Sequence, residues 1–389
     1  MTNAIGARAK RVWALAFLCA GLGCGLMGPV LPVLARQWGL ADNRSGLLLG
    51  MLLAGSCCGT LTLQHRLERA VRRGVFCASA GMAGFALCTR SSSTHIYVVA
   101  LLTVLMTGFG LGSLMSAVNL LAGRLPVQQR SGLLARLGAV WCVGAMLAPA
   151  FVASGFLGMS LAGRLLLLAA LFLGCLLDQD AWRSEATDSV TPHVALNPHH
   201  ARFVTFACVA AMFLYGGAEG SISGWLPTFA NRYGGSTLAQ APWVTSALWL
   251  GLILSRMAVP RELTRAVRER ILKVVLIGTA LLLVQLIAVP QVSGISAGLI
   301  VGLLIGPGFP LVLSGTLDWR LGTRRMGIVL AAAAMGGAVC PLVVGQLSMF
   351  LGLRTAMLLP VAILLALPWV PGRTEPMTLR GGSREAISV

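Results

Sequence analysis

Of the twelve acidic residues in the chain, one falls deep inside a long apolar segment: Glu219, in the run Tyr215-Gly-Gly-Ala-Glu219-Gly-Ser-Ile-Ser-Gly-Trp225. A carboxylate at the centre of a membrane helix costs about 2.5 to 3.5 kcal/mol on insertion, so it persists where a cavity, a partner or a function offsets that cost. Two chemistries suit it. A buried carboxyl can load and release a proton and so couple solute movement to a proton gradient, or it can hydrogen-bond a neighbouring helix or a hydroxylated solute without titrating. Trp225, Trp249 and Trp141 can stack on sugar faces, and Asn119, Gln285 and Gln346 can supply donors and acceptors to hydroxyls. With Tyr215 and Glu219 they form an apolar wall with few convergent polar groups. The competing reading is an interfacial belt or core packing for each Trp and interhelical hydrogen bonds for the amides.

The elements that position these residues follow from composition. The 389 residues are 57% apolar and 11% charged, with mean hydropathy +0.83, whereas soluble domains carry about 25% charge. The net charge of +18 is spread over short loops between apolar runs rather than along a stripe with aromatics, which excludes nucleic acid as a partner. Windows of about 20 apolar residues predict twelve helices, near 12–35, 45–63, 75–89, 95–121, 132–153 and 157–177, then 203–230, 242–259, 271–289, 294–316, 326–347 and 355–371. The alternation of a β-barrel strand is absent.

Twenty-two basic residues fall on the N-terminal side of this topology and six on the other, which places both termini in the cytoplasm of a bacterial inner membrane. Arg8, Lys10 and Arg11 ahead of the first helix read as the flank of a signal anchor. Arg136 and Arg256 lie inside helices near the inner face and are expected to snorkel to the interface. Arg66, Arg72, Arg73, Arg130, Arg265 and Arg268 are expected to set topology, touch anionic lipid and latch an inner gate. The ten cysteines, without CxxC spacing, read as reduced packing residues.

The two halves repeat. Leu31-Pro-Val-Leu-Ala35 with Gly39 matches Leu226-Pro-Thr-Phe-Ala230 with Gly234 at a shift of 195, and Leu67-Glu-Arg-Ala-Val-Arg72 matches Leu263-Thr-Arg-Ala-Val-Arg268 at 196. Arg130-Ser-Gly132 matches Arg325-Met-Gly327 at 195. An even number of helices separates the copies, so the repeat is parallel, about an axis along the membrane normal. The expectation is an all-α membrane protein of two six-helix bundles, 12–177 and 203–371, with a cytoplasmic linker 178–202 and a cytoplasmic tail 372–389. His193, His199 and His200 in that linker read as solvated residues rather than metal ligands.

Two such bundles, joined by a hydrophilic linker and carrying basic loops after helices 2 and 8, resemble the major facilitator superfamily over essentially the whole chain. Gly108-Phe-Gly-Leu-Gly112, Asn119, Pro126, Arg130 and Gly144 to Pro149 look like helices 4 and 5 of its fucose and glucose permease branch. Tyr215 to Pro227 is similar to that branch's seventh helix and Gly306-Pro-Gly-Phe-Pro310 to its tenth. The chain departs from the pattern in three places. The loop between helices 2 and 3 (Gly59, Gln64-His65-Arg66, Arg72-Arg73-Gly74) lacks the family Asp, Met115 stands where the branch carries a protonatable Glu, and the first helix has no carboxylate. Among the carboxylates of the spans, Glu219 is left to replace the usual coupling pair.

The resemblance implies a monomeric secondary transporter without a cofactor that moves a small polar solute, most plausibly a sugar, by alternating access, with protons as a candidate coupling ion. Its nearest rival is an exporter of amphipathic compounds. A soft-metal carrier would show Met or His-Met spacing, and an enzyme would show a nucleophile and base in reach; neither pattern is present.

Overall fold

A computed structural model of the chain describes residues 7–62, 67–91, 96–123, 127–152, 158–177, 182, 198–258, 265–292, 294–317, 319, 321 and 323–370. Among them are fourteen α-helical stretches. They are α1 (Ala7–Gly25), α2 (Met27–Trp38), α3 (Asp42–Leu61), α4 (Leu67–Cys88), α5 (Ile96–Gly123), α6 (Val127–Val152), α7 (Leu161–Gly174), α8 (Pro198–Tyr233), α9 (Ala241–Ala258), α10 (Arg265–Ala288), α11 (Ile295–Ile305), α12 (Gly308–Leu317), α13 (Thr323–Ala356) and α14 (Leu358–Ala366).

They form twelve transmembrane spans because two pairs are single spans broken by proline. α1 and α2 meet at a 40° bend. The ring of Pro29 cannot coexist with a helical carbonyl at Gly25, and Pro32 removes the donor that Gly28 would meet. α11 and α12 break at Gly306-Pro307, where Pro307 and Pro310 withdraw two donors three residues apart. The eleventh and twelfth spans run together in α13, with Gly352 at φ 76° as the elbow between them. α8 begins at Pro198, inside the segment expected to be linker; proline is pre-organised for the first helical position.

Each bundle has its own apolar core. One is centred on residues such as Trp13, Phe85, Leu111 and Phe172, the other on residues such as Met212, Leu276, Val301 and Leu364. Large apolar side chains also cover the outside, Phe76 and Phe350 among them, as a lipid-facing surface requires.

The repeat is visible in backbone detail. α2 ends with Gly39 in the left-handed region at φ 61°, where Leu40 N–H donates to the Ala35 carbonyl. α8 ends with Gly235 at φ 69°, where Ser236 N–H donates to the Ala230 carbonyl. Only glycine takes that conformation without cost. The left-handed residue of the second copy is therefore Gly235, one position beyond the glycine matched by sequence.

Between the bundles, α3 packs on α13 and α6 packs on α9. Under the shift that relates the two halves, α3 falls on α9 and α6 on α13, so the two seams are each other's counterparts about the pseudo-twofold.

Candidate functional site

The site begins with how α8 is turned. Its glycine face lies on α13: a Cβ at Gly220 would meet the Gly337 Cα at 2.9 Å, and one at Gly217 would strike the Cys340 side chain. This packing directs the face carrying Tyr215 and Glu219, one turn apart, toward α9 and the broken span of α11 and α12. Tyr215 is fully buried, donates its hydroxyl to the Ile305 carbonyl at 2.9 Å, and packs its ring 6.1 Å from that of Phe309.

Glu219 faces Arg256 of α9, with Oε1 accepting from Nη2 at 3.1 Å. Glu219 is counted from the Tyr233 end of α8 and Arg256 from the Ala241 end of α9. Both stand about four turns, roughly 21 to 22 Å, down antiparallel helices, and so at one depth. The other guanidinium donors are also engaged. Nε donates to the Gly306 carbonyl at 3.0 Å, and Nη1 donates to Cys142 Sγ on α6 at 3.7 Å. The Gly306 carbonyl is available because its helical donor would be the N–H of Pro310, which does not exist. Arg256 also lies 5.9 Å from the Phe309 ring centroid. The expected snorkelling of Arg256 is thus corrected: a half-buried cation, its side chain 23% exposed, is held by an opposite charge and an orphaned carbonyl, whereas Arg136 is exposed.

Nearer the Asp42 end, large side chains cross the seam. Trp141 of α6 and Trp249 of α9 make an edge contact at 5.3 Å and 82°, and Ser246 donates to the Met146 carbonyl at 2.9 Å. Beside Trp249 is a chamber of about 60 Å³, walled by α1 and α2, α3, α8, α9 and α13. Trp225 is fully buried and donates its indole N–H to the Pro341 carbonyl at 3.0 Å, so it ties α8 to α13.

At the Asp42 end itself the bundles are clasped. Asp42 on the first turn of α3 receives both terminal nitrogens of Arg232, from the last turn of α8, with Nη1 at 2.7 Å from Oδ2 and Nη2 on Oδ1. Ser348 of α13 donates to Asp42 Oδ2 at 2.9 Å. Next to the clasp a vestibule of about 580 Å³ is lined by Arg36, Asn231 and Arg232 among others.

The remaining expected residues lie elsewhere. Asn119 is exposed near the end of α5, Gln285 is exposed on α10 and Gln346 is exposed on α13, so these three amides do not converge with Glu219. Arg72 and Arg73 are exposed; Arg73 donates to the Thr62 carbonyl at 3.2 Å and lies 5.3 Å from the Phe109 ring centroid. Arg268 is half-buried on α10. Arg66 lies outside the described residues, as do the side chains of Arg130 and Arg265. None of the ten cysteines is in a disulfide.

Two sets of residues were missed in sequence: Arg256 as the partner of Glu219, and Asp42 with Arg232. A signal existed for the first, since opposite charges in the apolar parts of neighbouring helices normally pair. For the second, Asp42 and Arg232 flank the two copies of the repeated Leu-Pro motif.

The chain is 26% identical to the gallate transporter of Pseudomonas putida over 396 aligned positions, covering 86% of each chain. In fold it is similar to an inward-facing bacterial homologue of the human lysosomal transporter Spinster, with TM-score 0.67 and 13% identity over 95% of this chain and 97% of that one. It is also similar to the human organic anion transporter MFSD10 (TETRAN), with TM-score 0.64 and 15% identity over 93% of this chain and 98% of that one. The sequence model of the Major Facilitator Superfamily matches residues 13–320. Twelve spans in two like-oriented bundles agree with that match, and the chain belongs to the Major Facilitator Superfamily, a family of membrane transporters rather than enzymes.

Proposed function

We propose that the protein is a proton-coupled secondary carrier of small organic anions, monomeric and working by alternating access in a bacterial inner membrane with both termini in the cytoplasm. The observation that carries this reading is the ion pair of Glu219 and Arg256 at one depth in the second bundle. With Glu219 ionised, Arg256 has its counter-ion and the site is neutral. Protonating Glu219 removes that counter-ion, and an uncompensated buried charge costs about 3–5 kcal/mol. A solute carboxylate relieves the cost by accepting parallel N–H···O bonds from the guanidinium.

The site is then neutral in two states only: ionised without solute, and protonated with solute. Either proton or anion alone leaves an unpaired charge in a low dielectric, so the two cross together, one for one. The groups facing Glu219 fit the exchange: Arg256 from α9 bears the charge, Tyr215 is anchored on Ile305, and Cys142 from α6 touches the guanidinium from the other bundle. Rocking of the bundles therefore moves Cys142 away from Arg256. The vestibule bearing Arg36 and Arg232 lies on the outer side in this orientation and draws anions toward the clasp. The Pseudomonas relative is named for gallate, an aromatic carboxylate.

A neutral sugar remains the second reading, supported by Trp249, whose indole N–H is without a partner. It leaves the charge pair unexplained and finds Asn119, Gln285 and Gln346 dispersed. The boundaries 12–177 and 203–371 for the bundles, with linker 178–202 and tail 372–389, serve either solute, and transport direction separates both from an exporter of amphipathic compounds. The deciding experiment is counterflow in proteoliposomes with labelled benzoate, 3,4,5-trihydroxybenzoate and a hexose. Carboxylate exchange that falls at least about a hundredfold in Arg256→Ala, the loss a buried charge partner implies, supports the anion reading. Hexose exchange that survives in Arg256→Ala, with no carboxylate exchange in the wild type, overturns it.

A further inference from the structure

The chamber beside Trp249 holds two polar atoms that the fold does not satisfy. Among the described residues, Trp249 Nε1 and Thr245 Oγ1 are buried without a hydrogen-bond partner, and both residues line the chamber. Trp249 is 8% and Thr245 2% exposed. A buried donor left unpaired costs about 1–3 kcal/mol, and native proteins keep few of them. The indole N–H groups of Trp225 and Trp38 are paired, with the Pro341 and Ser91 carbonyls, whereas that of Trp141, whose ring packs on Trp249, is also without a partner.

The chamber's position is equally specific. Thr245, Trp249 and Arg256 recur at intervals of four and seven, along one face of α9. Trp249 lies two turns, about 10 Å of helix rise, from Arg256. That span is shortened because Arg256 reaches back to Cys142, the neighbour of the Trp141 ring that packs on Trp249. On the opposite side Gly220, next to Glu219, forms part of the wall. The wall at Gly28 cannot thicken, since a Cβ there would stand 2.7 Å from the Ser223 carbonyl oxygen. A volume of about 60 Å³ takes a few water-sized groups, each needing about 10–15 Å³ by this measure.

We propose that this chamber is the subsite for oxygen substituents at the uncharged end of the transported anion, with Trp249 Nε1 donating and Thr245 Oγ1 donating or accepting. The substrate class is thereby a small planar carboxylate bearing hydroxyl or carbonyl groups on the end opposite its charge. This rests on the anion reading, with Arg256 holding the carboxylate. Because both bundles contribute walls, a solute seated here touches α2 and α3 as well as α8 and α9, and its hydroxyl end reports the arrangement of the two bundles.

The test compares KM for benzoate and for 3,4,5-trihydroxybenzoate in wild-type proteoliposomes, in Thr245→Val, which keeps the side chain's shape, and in Trp249→Phe, which keeps an aromatic ring and removes the N–H. The chamber assignment predicts a lower KM for the hydroxylated acid in the wild type. It predicts that the KM of the hydroxylated acid relative to that of benzoate rises about tenfold in Trp249→Phe and less in Thr245→Val. Benzoate transport is the control for folding in each variant. Equal changes for both acids, or none for either, overturn the chamber while leaving the anion reading intact; a site for structural water alone gives that same result. Failure of the wild type to exchange either acid overturns both.

Discussion

The two seams between the bundles are counterparts in sequence and opposites in chemistry. Where α13 has Gly336, Gly337 and Pro341, the matching positions of α6 are Trp141, Cys142 and Met146; where α3 has Gly50 and Ala54, α9 has Thr245 and Trp249. The α3–α13 seam is backbone against backbone, so that a Cβ at Gly46 would lie 2.9 Å from the Pro341 carbonyl oxygen and one at Gly50 2.7 Å from that of Ala338. Small residues permit such approach and sliding. The α6–α9 seam instead carries aromatic rings, a guanidinium touching a thiol, and the indole N–H groups of Trp141 and Trp249, both without a partner. Under the proposed function, the duplicated scaffold uses one seam as a sliding contact and the other for recognition.

The largest expected effect comes from giving the glycine seam the bulk of its counterpart. Gly50→Leu forces a side chain into a carbonyl of α13, and overpacking of that kind costs about 1–3 kcal/mol or more. Because the clash exists only when this seam is closed, transport should fall at least about tenfold. Binding of benzoate, which the proposed function assigns to Arg256 on the other seam, should persist when measured by calorimetry. Loss of binding together with transport would show that the seams are not separable.

A smaller effect is expected at the clasp. Arg232 has a side chain 36% exposed and Asp42 one 10% exposed, and ion pairs in such settings contribute about 0–1 kcal/mol. Asp42→Asn should shift the closed state by no more than about fivefold, read as faster hydrogen exchange in the turns at Gly39 and Gly235 with modest change in transport. Ser348→Ala, which removes one hydrogen bond to Asp42, should act in the same direction and more weakly. An Asp42→Asn loss as deep as that of Gly50→Leu would place the decisive contact in the clasp rather than in the glycine packing.

Much of the architecture was legible because membrane spans are written locally. Apolar runs long enough to cross a bilayer give the helices, and the Leu-Pro motif gives the repeat. Glu219 was legible because its cost is local too. Its partner was less so: Arg256 sits close to a basic loop on the side expected to be cytoplasmic, where snorkelling is the ordinary outcome, and only its depth measured from Ala241 matches that of Glu219. Asp42 reads as a first-turn acid that favours the α3 dipole, and Arg232 lies 190 residues away on another bundle. No spacing rule within a helix connects them. The chamber had no sequence signal, since an orphaned indole N–H is defined by what surrounds it.

The most direct measurement is pH-gradient-driven accumulation of the transported carboxylate by Glu219→Gln beside its homo-exchange at equal pH. Glutamine leaves Arg256 without a counter-ion at every pH, so exchange should continue, carboxylate affinity should lose its pH dependence, and accumulation driven by an inward acid gradient should vanish. Accumulation at the wild-type level in Glu219→Gln would contradict the coupling of proton and anion through this pair.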